Sequence, residues 1–113
     1  MSNALHIHQL PPETWPLTAA KFIQNKIDAI LNEQAECSVM LTGGRTAEKV
    51  YSSWENSPMF QRLRNIHFYY GDERCVKSDS SDSNYGMTLR TLFRRGLPPQ
   101  SAIHPIVANF EDF

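Results

Sequence analysis

Residues 5–10 (LHIHQL) alternate apolar and polar positions, the period of a half-exposed strand, and Pro11-Pro12 then break the chain. Proline is tolerated in a first helical turn, so a helix is predicted to begin around residues 14–16. Phe22, Ile23, Ile27, Ile30 and Leu31 recur at helical spacing and predict one apolar stripe as far as about Asn32. A short strand over residues 38–41 (SVML) stops at Thr42-Gly43-Gly44, and a second helix is predicted from about Thr46, with Val50, Tyr51 and Trp54 on one face. A short segment with Phe60 and Leu63 follows, and then residues 66–70 (IHFYY), β-branched at the start and aromatic after, give the strongest strand signal. That strand stops at Gly71-Asp72-Glu73-Arg74. The polar loop of residues 77–83 places Asp82 or Ser83 to cap a third helix. Its expected face is Tyr85, Leu89, Leu92 and Phe93, and Gly96 and Pro98-Pro99 should end it. Residues 103–107 predict a last short strand.

Strands and helices in alternation predict an α/β fold: three-layered, Rossmann-like, with a largely parallel sheet and helices on both faces. Right-handed crossovers carry the helices over the sheet, and ligands in such folds gather beyond the carboxyl ends of the strands. The two unusual loops, LTGGRT and YYGDER, both follow predicted strands and should open on the same side.

Composition narrows the classes of function. The 113 residues suit one domain, and 41% hydrophobic against 20% charged residues is the mix of a globular chain. With 11 Lys+Arg against 12 Asp+Glu there is no basic excess, so no nucleic-acid partner is expected. No apolar run approaches the roughly 20 residues of a membrane span, and no basic region followed by an apolar stretch marks a secretory signal. Cys37 and Cys75 lack metal-ligand spacing, and reduced cytoplasmic thiols are expected.

Three constellations could carry chemistry. In Thr42-Gly43-Gly44-Arg45-Thr46, paired glycines let the backbone approach a ligand, and the unpaired N–H groups of the next helix favour an anion. Arg45 and Thr46 would add a guanidinium and a hydroxyl, which suits a phosphate. The plain alternative is a tight turn capped by Thr46. In Gly71-Asp72-Glu73-Arg74, carboxylates and a guanidinium at a strand end suit acid–base work and a phosphate clamp, and a carboxylate beside Arg74 should be held charged. The alternative is a solvated Glu73–Arg74 ion pair. In Ser83-Asn84-Tyr85-Gly86-Met87, polar groups at a helix start could face the same cleft, or Asp82 or Ser83 could simply cap. No metal site is expected from His6, His8, His67 or His104; His67 reads as a strand residue.

Read jointly, VMLTGGRTAEKVY, IHFYYGDERCV and DSNYGM resemble the 6-phosphogluconolactonase family, within a wider group that includes glucosamine-6-phosphate deaminases. Asp72-Glu73-Arg74 stands where a deaminase would show DEY, which favours the lactonase branch. The resemblance implies a cytoplasmic hydrolase of the pentose phosphate pathway that needs no cofactor or metal and opens 6-phosphoglucono-1,5-lactone to 6-phosphogluconate. It makes Gly43, Gly44, Arg45 and Thr46 the phosphate-side loop. Arg74 becomes a phosphate or sugar contact, Asp72 a pocket carboxylate near the reacting ring, and Ser83 and Asn84 supports of the cleft. Ala47 departs from the family's usual proline after the threonine.

A larger departure is an absence. Family members are roughly twice as long, and their later half carries a GxGxDGHxAS motif whose histidine is thought to activate the water. That motif does not occur in these residues. Residues 1–113 are therefore expected to form the N-terminal part of one sugar-phosphate-enzyme α/β domain, truncated and without its main base. The alternatives are a non-catalytic sugar-phosphate-binding module that completes its sheet with a second copy or a complementing C-terminal half, and a deaminase-like enzyme.

Overall fold

The computed structural model describes residues 5–77 and 79–106. Its elements are α1 (Trp15–Glu33), β1 (Cys37–Leu41), α2 (Arg45–Asn56), a 3-10 turn (Phe60–Arg62), β2 (Ile66–Tyr70), α3 (Asn84–Arg90) and β3 (Ala102–His104). The three strands are parallel in the order β1-β2-β3. The predicted α/β class and parallel sheet are what the chain forms. Residue 107 of the last expected strand lies outside the described residues.

Alternation decides which sheet face is covered. Cys37 and Leu41 of β1, with Ile66, Phe68 and Tyr70 of β2, point into one core, where they meet Val50, Tyr51 and Trp54 of α2, Phe60, Leu63, Leu92 and Phe93. Met40 and Tyr69 alternate to the other face and are 72% and 41% exposed. Of the two helical layers expected, the described residues supply one. The strands run in chain order across the sheet, so successive right-handed crossovers stack on the same side. A layer on the other face needs a reversal of strand order.

The N-terminal expectation fails. Residues 5–10 form no strand, and Leu5 and Ile7 are 84% and 76% exposed, because neither edge of the sheet takes up their backbone groups. The stripe of α1 is also rotated from the expected one. Ile27 of the expected stripe is buried, and Ile23 and Leu31 pack partly buried against the core. Phe22 and Ile30, however, are exposed, and Ala20 and Gln24 are buried instead. Gln24 earns its place by hydrogen bonding: its Oε1 accepts from Trp54 Nε1 at 2.7 Å and its Nε2 donates to the Met59 carbonyl at 3.0 Å.

The third helix ends at Arg90, short of Gly96. Thr91 turns its Oγ1 back to the Met87 carbonyl at 2.9 Å, and the chain continues in turns that bury Leu92 and Phe93. Leu89, expected on the apolar face, is exposed, and Met87 and Thr88 are buried instead. Glu55 at the end of α2 is buried between this turn segment and its own helix. It accepts from Arg94 Nη2 at 3.2 Å and from Arg95 Nε, and Arg95 Nη2 donates to its carbonyl at 2.6 Å. Burial alone would raise the Glu55 carboxyl, but the two guanidinium groups outweigh it and hold it below the usual range. No helix among the described residues is long and apolar enough to cross a membrane.

Candidate active site

Parallel strands in matched register bring both loops to one end of the sheet. Leu41 pairs with Tyr70, and the Gly71 N–H donates to the Leu41 carbonyl at 2.9 Å, so the chain after β1 and the chain after β2 leave side by side. The first loop feeds straight into α2. Gly44 occupies the position before its first turn at φ 99°, a left-handed conformation that side chains resist, and no side chain caps the helix. This overturns the Thr46-cap alternative: α2 begins at Arg45, one residue before Thr46. The Thr42 N–H donates to the Tyr51 hydroxyl at 3.0 Å, which ties the loop down onto its own helix.

Gly43 serves close approach. A Cβ there would lie 2.8 Å from Asn84 Nδ2, with Oδ1 closer still. Asn84 is buried at this junction, its Nδ2 donating to the Asp72 carbonyl and to Asp72 Oδ1, both at 3.3 Å. One amide therefore wedges the three loops together.

Glu73 fastens the third. Its Oε1 accepts from the N–H groups of Arg74 and Asn84, both at 2.7 Å, and its Oε2 from the Tyr85 N–H at 2.8 Å and the Ser83 hydroxyl at 3.2 Å. Ser83 Oγ in turn accepts from the Gly86 N–H at 3.0 Å, so Ser83 is the cap. Burial pushes the Glu73 carboxyl up, and the bonds from Tyr85, Asn84, Arg74 and Ser83 more than reverse it. The solvated Glu73–Arg74 pair is thus not what forms. The carboxylate turns inward to backbone, which leaves the Arg74 side chain exposed.

Between these loops lies a cleft of about 360 Å³. Of the residues the sequence nominated, Gly44, Arg45, Arg74, Ser83 and Asn84 line it. Gly43, Thr46 and Asp72 are not among the lining: Gly43 abuts Asn84, Thr46 is exposed in the first turn of α2, and Asp72 is exposed and held by Asn84. Sequence reasoning missed Arg90 and Glu48, which also line the cleft. Arg90 sits three residues after Met87 and seven after Ser83, both in the same lining, and helical periodicity puts it on their face. Three arginines line the cleft beside the uncapped N-terminus of α2, together with the carboxylates Glu48 and Asp82. The described histidines stand apart. His67 lies on the open sheet face, bonded to Glu36 and, at 3.0 Å, to His104, and among the described residues no group could hold a metal ion.

The family model for glucosamine-6-phosphate isomerases/6-phosphogluconolactonase matches residues 12–112. Over 78 residues the chain is 36% identical to the 6-phosphogluconolactonase of Aggregatibacter actinomycetemcomitans, covering 67% of this chain and 33% of that protein. It is 34% identical over 82 residues to that of Thermotoga maritima, covering 73% of this chain and 36% of the other. The crystal structure of the Thermotoga maritima 6-phosphogluconolactonase superposes with a TM-score of 0.72 at 29% identity, over 84% of this chain and 43% of that one. The 6-phosphogluconolactonase from Trypanosoma cruzi gives 0.76 at 28%, over 94% and 40%. The chain thus spans between a third and under half of the length of these relatives.

Proposed function

Given that this chain belongs to the glucosamine-6-phosphate isomerase/6-phosphogluconolactonase family, we propose that its cleft binds the phosphate of 6-phosphoglucono-1,5-lactone and supplies the phosphate-holding half of a lactonase. The observation that carries this is the convergence of Arg45, Arg74 and Arg90 on the uncapped start of α2, at the carboxyl ends of parallel strands. The N–H groups of the first turn of α2 hold phosphate oxygens, Arg45 and Arg74 add charge-assisted bonds, and Arg90 completes the positive wall. Gly43, Gly44 and Thr46 shape the loop, and Ser83 and Asn84 brace it.

Hydrolysis asks for more. A base takes a proton from water, the water oxygen adds to the lactone carbonyl carbon, the ring C–O bond breaks, and the ring oxygen is protonated. The ionisable groups lining the cleft are three arginines, Glu48 and Asp82, with no histidine. Asp72, the carboxylate nominated from sequence, lies outside the lining and is exposed, where it serves as a weak base at most. The main base belongs to the part of the family fold that carries the GxGxDGHxAS segment. The open sheet face with Met40 and Tyr69 would receive that complementing half or a second copy, in a cytoplasmic, cofactor-free hydrolase.

Titration of the 113-residue chain with 6-phosphogluconate should show saturable binding that weakens about 10- to 100-fold in Arg74→Ala, the value of a charge-assisted bond. Lactone turnover should stay at trace levels over spontaneous hydrolysis. Equal affinity in the two proteins would remove Arg74 from the site. Brisk turnover would show that these residues already hold a base, and ammonia release from glucosamine 6-phosphate would move the chain to the deaminase branch.

A further inference from the structure

Glu73 lies outside the cleft lining, yet four donors from two loops converge on its carboxylate. One donor is the backbone of Arg74 itself, which fixes where that guanidinium starts. Two more, the N–H groups of Asn84 and Tyr85, are the opening residues of α3, and Asn84 is the wedge against Gly43 and Asp72. We propose that Glu73 is the positioning residue of this cleft: its carboxylate clamps the first turn of α3 to the loop after β2, and thereby sets the Arg74 guanidinium for the anion. A second consequence follows from the same bonds. With its leading N–H groups occupied by an internal carboxylate and by Ser83 Oγ, α3 offers no competing place for a phosphate. The anion is left to the start of α2.

The proposal rests on the phosphate reading for its effect on binding, but the clamp itself can be tested without ligand. Following amide resonances during an acid titration, Asn84 and Tyr85 should shift together with one carboxyl whose midpoint lies below the ordinary glutamate range, and the shift should vanish in Glu73→Gln. At neutral pH, Glu73→Gln should weaken 6-phosphogluconate and inorganic phosphate about 10-fold. In the Arg74→Ala background the same change should add less than about 2-fold, since both act through one guanidinium. A role confined to stability predicts the same loss in both backgrounds. A folded Glu73→Gln with unchanged affinity, or with equal losses in the two backgrounds, overturns the proposal. Should Glu73→Gln not fold, Ser83→Ala decides, because it keeps the carboxylate and removes one of its four bonds. A loss of about 3-fold is then expected, and none overturns it. If the wild-type chain binds neither anion, the phosphate reading fails, and the amide titration still judges the clamp.

Discussion

Trp54→Ala is expected to destabilise the chain by about 3–5 kcal/mol, a large share of the roughly 5–15 kcal/mol that holds a typical domain folded. Trp54 is 0% exposed, and its ring meets Phe60 edge-on at a centroid distance of 5.1 Å. Its loss opens a cavity at the centre of the only core among the described residues. The same change strands a polar group, because Gln24 Oε1 loses the indole N–H while remaining buried between α1 and α2. An unpaired buried acceptor costs about 1–3 kcal/mol, so part of the loss is polar and separable. Trp54→Phe keeps most of the volume and removes the donor, and should cost the smaller share. Urea unfolding followed by circular dichroism measures both. A loss below about 1 kcal/mol for Trp54→Ala would mean that this junction is not where the fold is held.

The second large effect is expected at Gly43. Alanine there meets the Asn84 side chain, which cannot swing away cheaply because it is buried and bonded twice to Asp72. Overpacking of this kind costs about 1–3 kcal/mol, and here the strain falls on the loops that carry Arg45 and Arg74. Gly43→Ala should therefore lose stability and 6-phosphogluconate affinity together. A double-mutant cycle isolates the contact. In an Asn84→Ala background the added methyl finds space, and Gly43→Ala should become nearly free in stability. An undiminished cost in that background would assign the effect to the backbone instead.

What was legible in the sequence was what local chemistry decides alone. Ile66–Tyr70 forms the strand that its β-branched and aromatic run predicts, with the same bounds. The glycine pair stands at the strand-to-helix turn, and Ser83 caps α3. What was illegible depends on partners distant in the chain. The LHIHQL alternation is a strand pattern without an edge to join. Gln24 fell outside the apolar stripe because its reason to be buried, the Trp54 indole, lies thirty positions away. Phe22 and Ile30 fit the helical period of Ile27 as well as Ala20 does, and packing against α2 chose between them. In the site, arginines in the loops were visible, but Arg90 on a helix reads as an ordinary solvated charge. Glu73 was visible as an acid–base carboxylate or as one half of an ion pair, since nothing in DER tells a carboxylate to turn toward backbone N–H groups.

The order β1-β2-β3 also has a bearing on how the chain acquires its shape. Every strand pairs with the next strand along the sequence, and each connecting helix closes on the pair just made. Assembly can therefore proceed in the direction of synthesis, with β1, α2 and β2 joined while α3 is still emerging. The start of α2 is in place at that stage, but Asn84 and Tyr85 have not yet reached Glu73. Anion affinity would then mature later than the β1-β2 pairing, arriving when α3 docks.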